Sequence, residues 1–423
     1  MYSKILGGNG LKGKIPIGGS KNACLPIIAA TLLTSETCIL HNVPILTDTL
    51  HLLEIVRSLG ADVLRLEEHS WSITAKEISS HVAQKSVGQL RASVCLMGAL
   101  LGRKKQAVVA MPGGCNLGER PIDLHLYAFA SLGTTAKIAN NYVYLSANNL
   151  TGTTFSMEGP HGPTVTGTSN AIMAAVCARG ITVIQCAATE PEVEDLCHFL
   201  TQMGAKIHGI GTSVLTIKGI DRLHGTEFTI QPDRIEAGTL IILGLLCGHS
   251  IELINAPKSF LQTALRGFFA AHKDFKRYFH WNGDTLLVSQ AHNLSPFAIS
   301  ATPHPGFPTD LQPQITVLAS QIAGKSRIRD TVFPERFRHV PMLKRFGMSI
   351  EQSNDMAYVY GKTELQGTQV TAMDLRAGAA LYIAGLVANG ETLIFGLEHI
   401  DRGYEHFEAK LQAIGATIER FPI

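Results

Sequence analysis

Ten residues, Pro112-Gly113-Gly114-Cys115-Asn116-Leu117-Gly118-Glu119-Arg120-Pro121, crowd three glycines and two prolines around one cysteine. Such a stretch reads as an exposed loop. A thiol close to Arg120 has surroundings that lower its pKa and suit it to act as an acid or a nucleophile. A second candidate, Asp310, ends the run Thr302-Pro303-His304-Pro305-Gly306-Phe307-Pro308-Thr309-Asp310 ahead of a helix. Its carboxylate can cap that helix, or beside cations it can take a proton from a hydroxyl group.

The cations are where the pattern gathers them. Helices with many small residues are expected to begin near Lys21, Arg91, Asn170, Arg234, Asp310 and Arg376, and second helices near Arg120, Arg336 and Arg402. Helix N-termini carry partial positive charge and favour Asp or Glu, so basic residues at four of the six first starts run against helix stability. An anion held at those ends accounts for them, and Arg and Lys together suit a phosphate. Taken singly, each Arg is also a good helix former for a solvated face. Gly18-Gly19-Ser20-Lys21-Asn22 lacks the Gly-x-x-x-x-Gly-Lys-[Ser/Thr] spacing of a nucleoside-triphosphate loop.

Composition narrows the rest. The 423 residues carry 36 Lys and Arg against 34 Asp and Glu, a net charge of +2, which offers no field for a nucleic-acid backbone or an acidic membrane surface. Hydrophobic residues make up 45% without a continuous run of the ~20 needed to span a bilayer. The eight cysteines include no Cys-x-x-Cys pair and the 17 histidines no His-Glu-x-x-His, so neither a disulfide framework nor a metal is expected. The start Met-Tyr-Ser-Lys-Ile-Leu-Gly-Gly has no export signal, and a cytoplasmic location is expected.

The elements that must position these residues repeat. Glycines 60, 133, 204, 347 and 415 each close an amphipathic run and open an apolar one, at intervals of 73, 71, 143 and 68 residues. The double interval implies a copy near residue 275, where Phe268 to Phe275 reads as a helix whose final glycine is lost. Apolar strands are expected at 37–40, 107–110, 182–185, 250–254, 326–329 and 392–395, each after a first helix. Six βαβαββ units follow, an α/β (α+β) fold of two groups of three. One domain takes 1–20 plus 232–423, the other 21–231. The N-terminal strand region 3–17 is free to pair with either.

With Gly19-Ser20-Lys21-Asn22, Arg91-Ala92-Ser93, Pro112-Gly113-Gly114-Cys115, Arg120-Pro121-Ile122-Asp123-Leu124, Pro232-Asp233-Arg234-Ile235-Glu236, Phe307-Pro308-Thr309-Asp310, Asp374-Leu375-Arg376 and His399-Ile400-Asp401-Arg402-Gly403-Tyr404-Glu405 assembled, the chain resembles the UDP-N-acetylglucosamine enolpyruvyl transferases nearly end to end. The resemblance implies two inside-out α/β barrels of three repeats each, with the active site in the interdomain cleft. It implies transfer of the enolpyruvyl group of phosphoenolpyruvate to the sugar 3-hydroxyl, with release of phosphate, in peptidoglycan synthesis. Cys115 then matches the proton donor that fosfomycin alkylates, and Asp310 the acceptor of the hydroxyl proton. Lys21, Asn22, Arg120, Arg336, Arg376 and Arg402 match phosphoenolpyruvate-binding positions. Arg91, Arg120, Pro121, Ile122, Asp123, Leu124, Pro163, Thr164, Val165, Thr166, Asp310 and Val332 match UDP-N-acetylglucosamine-binding positions, although the 159–167 run departs from the family's usual one. No cofactor, metal, nucleic acid or membrane is implied. The sister transferases acting on shikimate 3-phosphate share the fold, but lack a glycine-flanked cysteine loop; a non-catalytic nucleotide-sugar sensor on the same fold is the other alternative, and it would have no need to keep Lys21, Cys115, Asp310 and Arg402 together.

Overall fold

The five glycines that set the period have φ of 108, 90, 99, 94 and 97° at Gly60, Gly133, Gly204, Gly347 and Gly415, where a side chain would be strained. Each ends a helix. At Gly204 the residue's own N–H donates to Thr201 O, 2.9 Å, and the next N–H, of Ala205, reaches back to Leu200 O, 2.9 Å. Ala61, Thr134 and Ala416 reach back five residues in the same way. This is the Schellman ending, which needs one left-handed residue, and it recurs because the helix–strand junction recurs.

The computed structural model describes residues 1–83, 91–111, 121–259 and 275–422. The chain divides into two units, one of Met1–Gly18 with Pro232–Ile423, the other drawn from between Gly19 and Gln231. The chain passes from one to the other at 18/19, two residues before the expected 20/21, and again at 231/232.

In the Gly19–Gln231 unit three helices, Lys21–Ala30, Leu96–Lys104 and Val165–Ala175, pack on one another and are buried over most of their length. Helices apolar on nearly every face have no solvent side to present, so the sheets must cover them. Three of its sheets have four strands in one order, beside a two-stranded ribbon of Glu158–Gly159 with Gly162–Pro163. A lead-in strand lies parallel to the strand after the first helix, and two antiparallel strands follow. In the first sheet the lead-in, Glu227–Thr229, comes from the far end of the unit and pairs with Thr37–His41, which closes the unit on itself. Second helices run over Thr47–Ser58, Asp123–Ser131 and Pro191–Gln202.

The other unit repeats the plan with helices Arg234–Cys247, Gln312–Ser320 and Leu375–Val387. Both N-terminal strands belong to it. Leu11–Pro16 is the parallel lead-in beside Gly248–Ile254, and Tyr2–Leu6 is inserted between Glu391–Phe395 and Thr417–Phe421. The final repeat therefore takes its third strand from the start of the chain. All six strands expected after first helices are present at or within two residues of the expected starts. The fourth repeat's expected helix falls largely at 260–274, outside the described residues; it resumes with a 3₁₀ turn at Phe275–Tyr278 and a strand at Phe279–Asn282.

Arg336 and Arg402 lie in turns, the next helices beginning only at Val340 and Phe407, and one expected first-helix start is wrong. The third helix begins at Val165, capped by the Thr164 hydroxyl on Gly167 N, 3.3 Å, and Asn170 lies mid-helix and fully buried. Threonine accepts hydrogen bonds as an N-cap readily, and the two-residue strand Gly162–Pro163, paired with Glu158–Gly159, leads straight into it. Asn170 is therefore no helix-end anion ligand.

Candidate active site

In the Met1–Gly18, Pro232–Ile423 unit the structure gathers Asp310, Arg336 and Arg376. Asp310 sits in the 3₁₀ turn Thr309–Leu311, and its side chain caps no helix. Its Oδ1 meets Arg336 Nη2 at 2.7 Å, while Oδ2 accepts from Arg376 Nη2 at 2.7 Å and Nε at 3.1 Å. Both arginines are 3% exposed. Burial alone would raise the Asp310 carboxyl pKa, but the charges and hydrogen bonds of Arg376 and Arg336 hold it well below the usual carboxylate range.

The surrounding bonds fix this triad. Arg336 Nη1 donates to Thr309 Oγ1, 2.8 Å, which donates in turn to Asp330 Oδ2, 2.6 Å. Asp330 Oδ1 accepts from the N–H groups of Val332, 3.0 Å, and Phe333, 2.8 Å, so Val332 stands on the same turn. Asp374 caps the Leu375–Val387 helix through Arg376 N, 2.8 Å, and Ala377 N, 2.9 Å. The Arg376 guanidinium lies 5.5 Å from the ring of Tyr404. Thr239 Oγ1 gives its proton to Ile235 O, 2.8 Å, so the Tyr404 hydroxyl donates to Thr239, 2.9 Å, and accepts from Gln314 Nε2, 3.2 Å. Tyr404 thereby anchors the turn that carries half-buried Arg402. Asp401, next to Arg402, is held by Arg420 at 3.0 Å. His339, 1% exposed, is pushed by burial to a pKa of about 4, against the pull of Asp374, and stays neutral beside Arg336.

Two donors of this cluster, Arg336 Nε and Arg376 Nη1, are buried and have no hydrogen-bond partner among the described residues; both atoms of the buried Gln312 amide share that condition. Buried donors are rarely left unmet, and an anion of carboxylate or phosphate geometry satisfies a guanidinium edge.

In the Gly19–Gln231 unit Lys21 opens its helix after the Ser20 cap and pairs with Asp48 at 2.7 Å, both largely buried; Asn22 beside it is half-buried. Pro121 and Ile122 lead into the helix that Asp123 begins, and Leu124 Cδ1 would stand 3.0 Å from a Cβ on Gly159. Leu124 is thus packed against the segment leading to Pro163, Thr164, Val165 and Thr166. Arg91 opens the 3₁₀ turn Arg91–Cys95. Cys115, Arg120 and the Arg91 side chain lie outside the described residues.

Contacts that spacing did not reveal join these groups. Thr309, Asp330 and Tyr404 steer Arg336 and Arg376; His125 and Asn170 link three segments of the other unit. Thr309 lies within a quoted motif and His125 directly after one, but only the folded register shows what they face.

The profile described as EPSP synthase (3-phosphoshikimate 1-carboxyvinyltransferase) matches residues 5–411. A UDP-N-acetylglucosamine 1-carboxyvinyltransferase of Methylacidiphilum infernorum (isolate V4) is 45% identical over 98% of both chains. One of Akkermansia muciniphila is 43% identical over 99% of this chain and 98% of its own. Among solved structures, the enolpyruvyl transferase NikO from Streptomyces tendae matches with a TM-score of 0.88 at 25% identity, covering 99% of this chain and 98% of its own. An EPSP synthase from Acinetobacter baumannii, at 17% identity and a TM-score of 0.75 over 99% of each chain, shares the fold. The chain belongs to the UDP-N-acetylglucosamine 1-carboxyvinyltransferases, within the wider EPSP synthase family.

Proposed function

We propose that this chain transfers the enolpyruvyl group of phosphoenolpyruvate to the 3-hydroxyl of UDP-N-acetylglucosamine, releasing phosphate, in the first committed step of peptidoglycan synthesis. The names of its relatives support the reaction. The observation that carries it in the structure is the buried Asp310–Arg336–Arg376 triad with unmet guanidinium N–H groups.

The division of work among the residues follows the family resemblance, and the paired Asp310, Arg336 and Arg376 support it. The sugar hydroxyl attacks carbon 2 of phosphoenolpyruvate and gives its proton to Asp310, while the Cys115 thiol delivers a proton to carbon 3. Loss of a carbon-3 proton and of phosphate from the tetrahedral adduct restores the double bond in the product. As paired in the structure, Asp310 is a poor base, because two guanidiniums stabilise its charge. The substrate carboxylate competes for those guanidiniums, and each contact it takes returns basicity to Asp310. Base strength is thus tied to anion occupancy, which suppresses proton removal from a sugar that arrives without its co-substrate. Lys21, Asn22, Arg120 and Arg402 are assigned to the phosphate, with Asp48 holding Lys21 in place. Arg91, Arg120, Pro121 to Leu124, Pro163 to Thr166 and Val332 are assigned to the nucleotide sugar.

No helix among the described residues is long and apolar enough to cross a membrane. A cytoplasmic place fits the cytoplasmic co-substrate, and roles in cell shape and division would follow from wall synthesis. The test is phosphate release from phosphoenolpyruvate with UDP-N-acetylglucosamine against shikimate 3-phosphate as acceptor. Release with the sugar nucleotide alone is expected; release only with shikimate 3-phosphate would overturn the reading.

A further inference from the structure

Asn170 sits at the centre of a buried polar chain that the reaction itself does not call upon. Its Oδ1 accepts from Gly98 N at 2.6 Å. A backbone N–H can only donate, so this contact fixes which end of the amide faces the Leu96–Lys104 helix. The Nδ2 group must then point the other way, and its two protons go to Val94 O, 2.9 Å, and His125 Nδ1, 2.9 Å. Because His125 Nδ1 receives a proton, the ring carries its own hydrogen on Nε2, which faces Thr166 Oγ1 at 3.3 Å. The chain runs inward from exposed Thr166 through His125, 4% exposed, to Asn170, 0% exposed.

The site is built for this contact. A Cβ on Gly98 would lie 2.4 Å from the Asn170 carbonyl oxygen and 2.7 Å from Oδ1, so only glycine lets the two helices approach here. In a fully buried setting each bond is strong and each unmet partner is costly, which gives a single amide control over three backbone segments. Those segments are the turn of Val94, the helix start that carries His125, and the helix start that carries Thr166. The nucleotide-sugar assignment uses the same three: Arg91, Pro121 to Leu124 and Pro163 to Thr166.

We propose that Asn170 is a positioning residue for the nucleotide sugar, setting the His125 tautomer and through it the spacing of the three segments that grip UDP-N-acetylglucosamine. The inference rests on the function proposed above. Asn170 touches no substrate; it acts through His125, Val94 and Gly98.

The variants are Asn170→Leu, which removes every bond at similar volume, and Asn170→Asp, which keeps the shape but offers His125 and Val94 an acceptor. Steady-state phosphate release with each substrate varied should show KM for UDP-N-acetylglucosamine raised about tenfold, the loss of one or two net hydrogen bonds. KM for phosphoenolpyruvate should stay within about twofold, a split that general loosening of the fold would not produce. Nitrogen-15 spectra of the wild type should show His125 with its hydrogen on Nε2, and in Asn170→Asp with a hydrogen on Nδ1. This reading stands even if Asn170→Leu fails to fold. A wild-type ring with hydrogen on Nδ1, unchanged KM values in folded variants, or equal rises in both KM values would overturn the inference. A wild type inert with both substrates would instead overturn the proposed function, while the tautomer still decides whether Asn170 orients His125.

Discussion

The substitution Asp310→Asn changes one charge in a buried cluster where one carboxylate meets two guanidiniums. Wild-type Asp310 offers two oxygens to Arg336 and Arg376, each at 2.7 Å, and both arginines are 3% exposed. The variant would leave two buried guanidiniums facing one neutral amide. Removing one partner of a buried pair costs about 3–5 kcal/mol, because the remaining charge stays buried without compensation. For a unit of roughly two hundred residues each kcal/mol moves the melting midpoint by about 2–4 °C, so its transition should fall by ~6–20 °C. Anion binding should move the opposite way. Substrate no longer displaces a carboxylate from the two arginines, so phosphoenolpyruvate should bind at least ~10-fold more tightly, which corresponds to ~1.4 kcal/mol of relieved competition. Turnover should still drop by ~10²–10⁴, the usual contribution of a general base. Scanning calorimetry, isothermal titration with phosphoenolpyruvate and phosphate release measure the three quantities. A variant of wild-type stability, or one that binds phosphoenolpyruvate more weakly, would refute the competition between Asp310 and substrate for the arginines.

Other expectations can be checked separately. Fosfomycin should add one adduct at Cys115, faster with UDP-N-acetylglucosamine bound, and an unchanged intact mass after treatment would remove Cys115 from its assigned role. Burial pushes the Asp195 carboxyl up to about 7, with the nearby Glu192 charge adding to it against a hydrogen bond from Gln231 N. The folded protein therefore holds this proton more tightly than the unfolded chain, and the stability it contributes below pH ~4 is lost as pH rises to about 7, by at most ~4 kcal/mol. Asp195→Asn should gain in melting temperature over wild type across that window, and a difference flat with pH would contradict the assignment. Gly60→Ala forces a side chain onto φ of 108° and places Cβ 2.8 Å from Glu77 O. It should lower stability by about 1–3 kcal/mol, read from urea denaturation, with activity per folded molecule unchanged.

The repeat was legible in the sequence because its marker is local. A helix ending on a left-handed residue needs glycine, and Gly60, Gly133, Gly204, Gly347 and Gly415 announce five such endings without help from the rest of the fold. The first helices were legible for a similar reason, since runs such as Leu240 to Leu246 are apolar on every face. What was hidden depends on contacts between distant residues. The place of Tyr2–Leu6 between Glu391–Phe395 and Thr417–Phe421 follows from closure of the unit, to which no short window of sequence testifies. Asn170 looked like one more polar helix start because the third helix carries no basic residue, and Thr164 six residues earlier is the true cap. Arg376 could be named from its motif and Arg336 from its place near an expected second helix. That both close on Asp310, 26 and 66 residues away, is a fact of tertiary structure.

Phosphate release from phosphoenolpyruvate by the purified chain, with UDP-N-acetylglucosamine as acceptor and shikimate 3-phosphate as control, bears most directly on what this protein does. Release that requires the sugar nucleotide, together with an enolpyruvyl ether on its 3-hydroxyl, is the expected result. Release with shikimate 3-phosphate instead, or none with either acceptor, would contradict it.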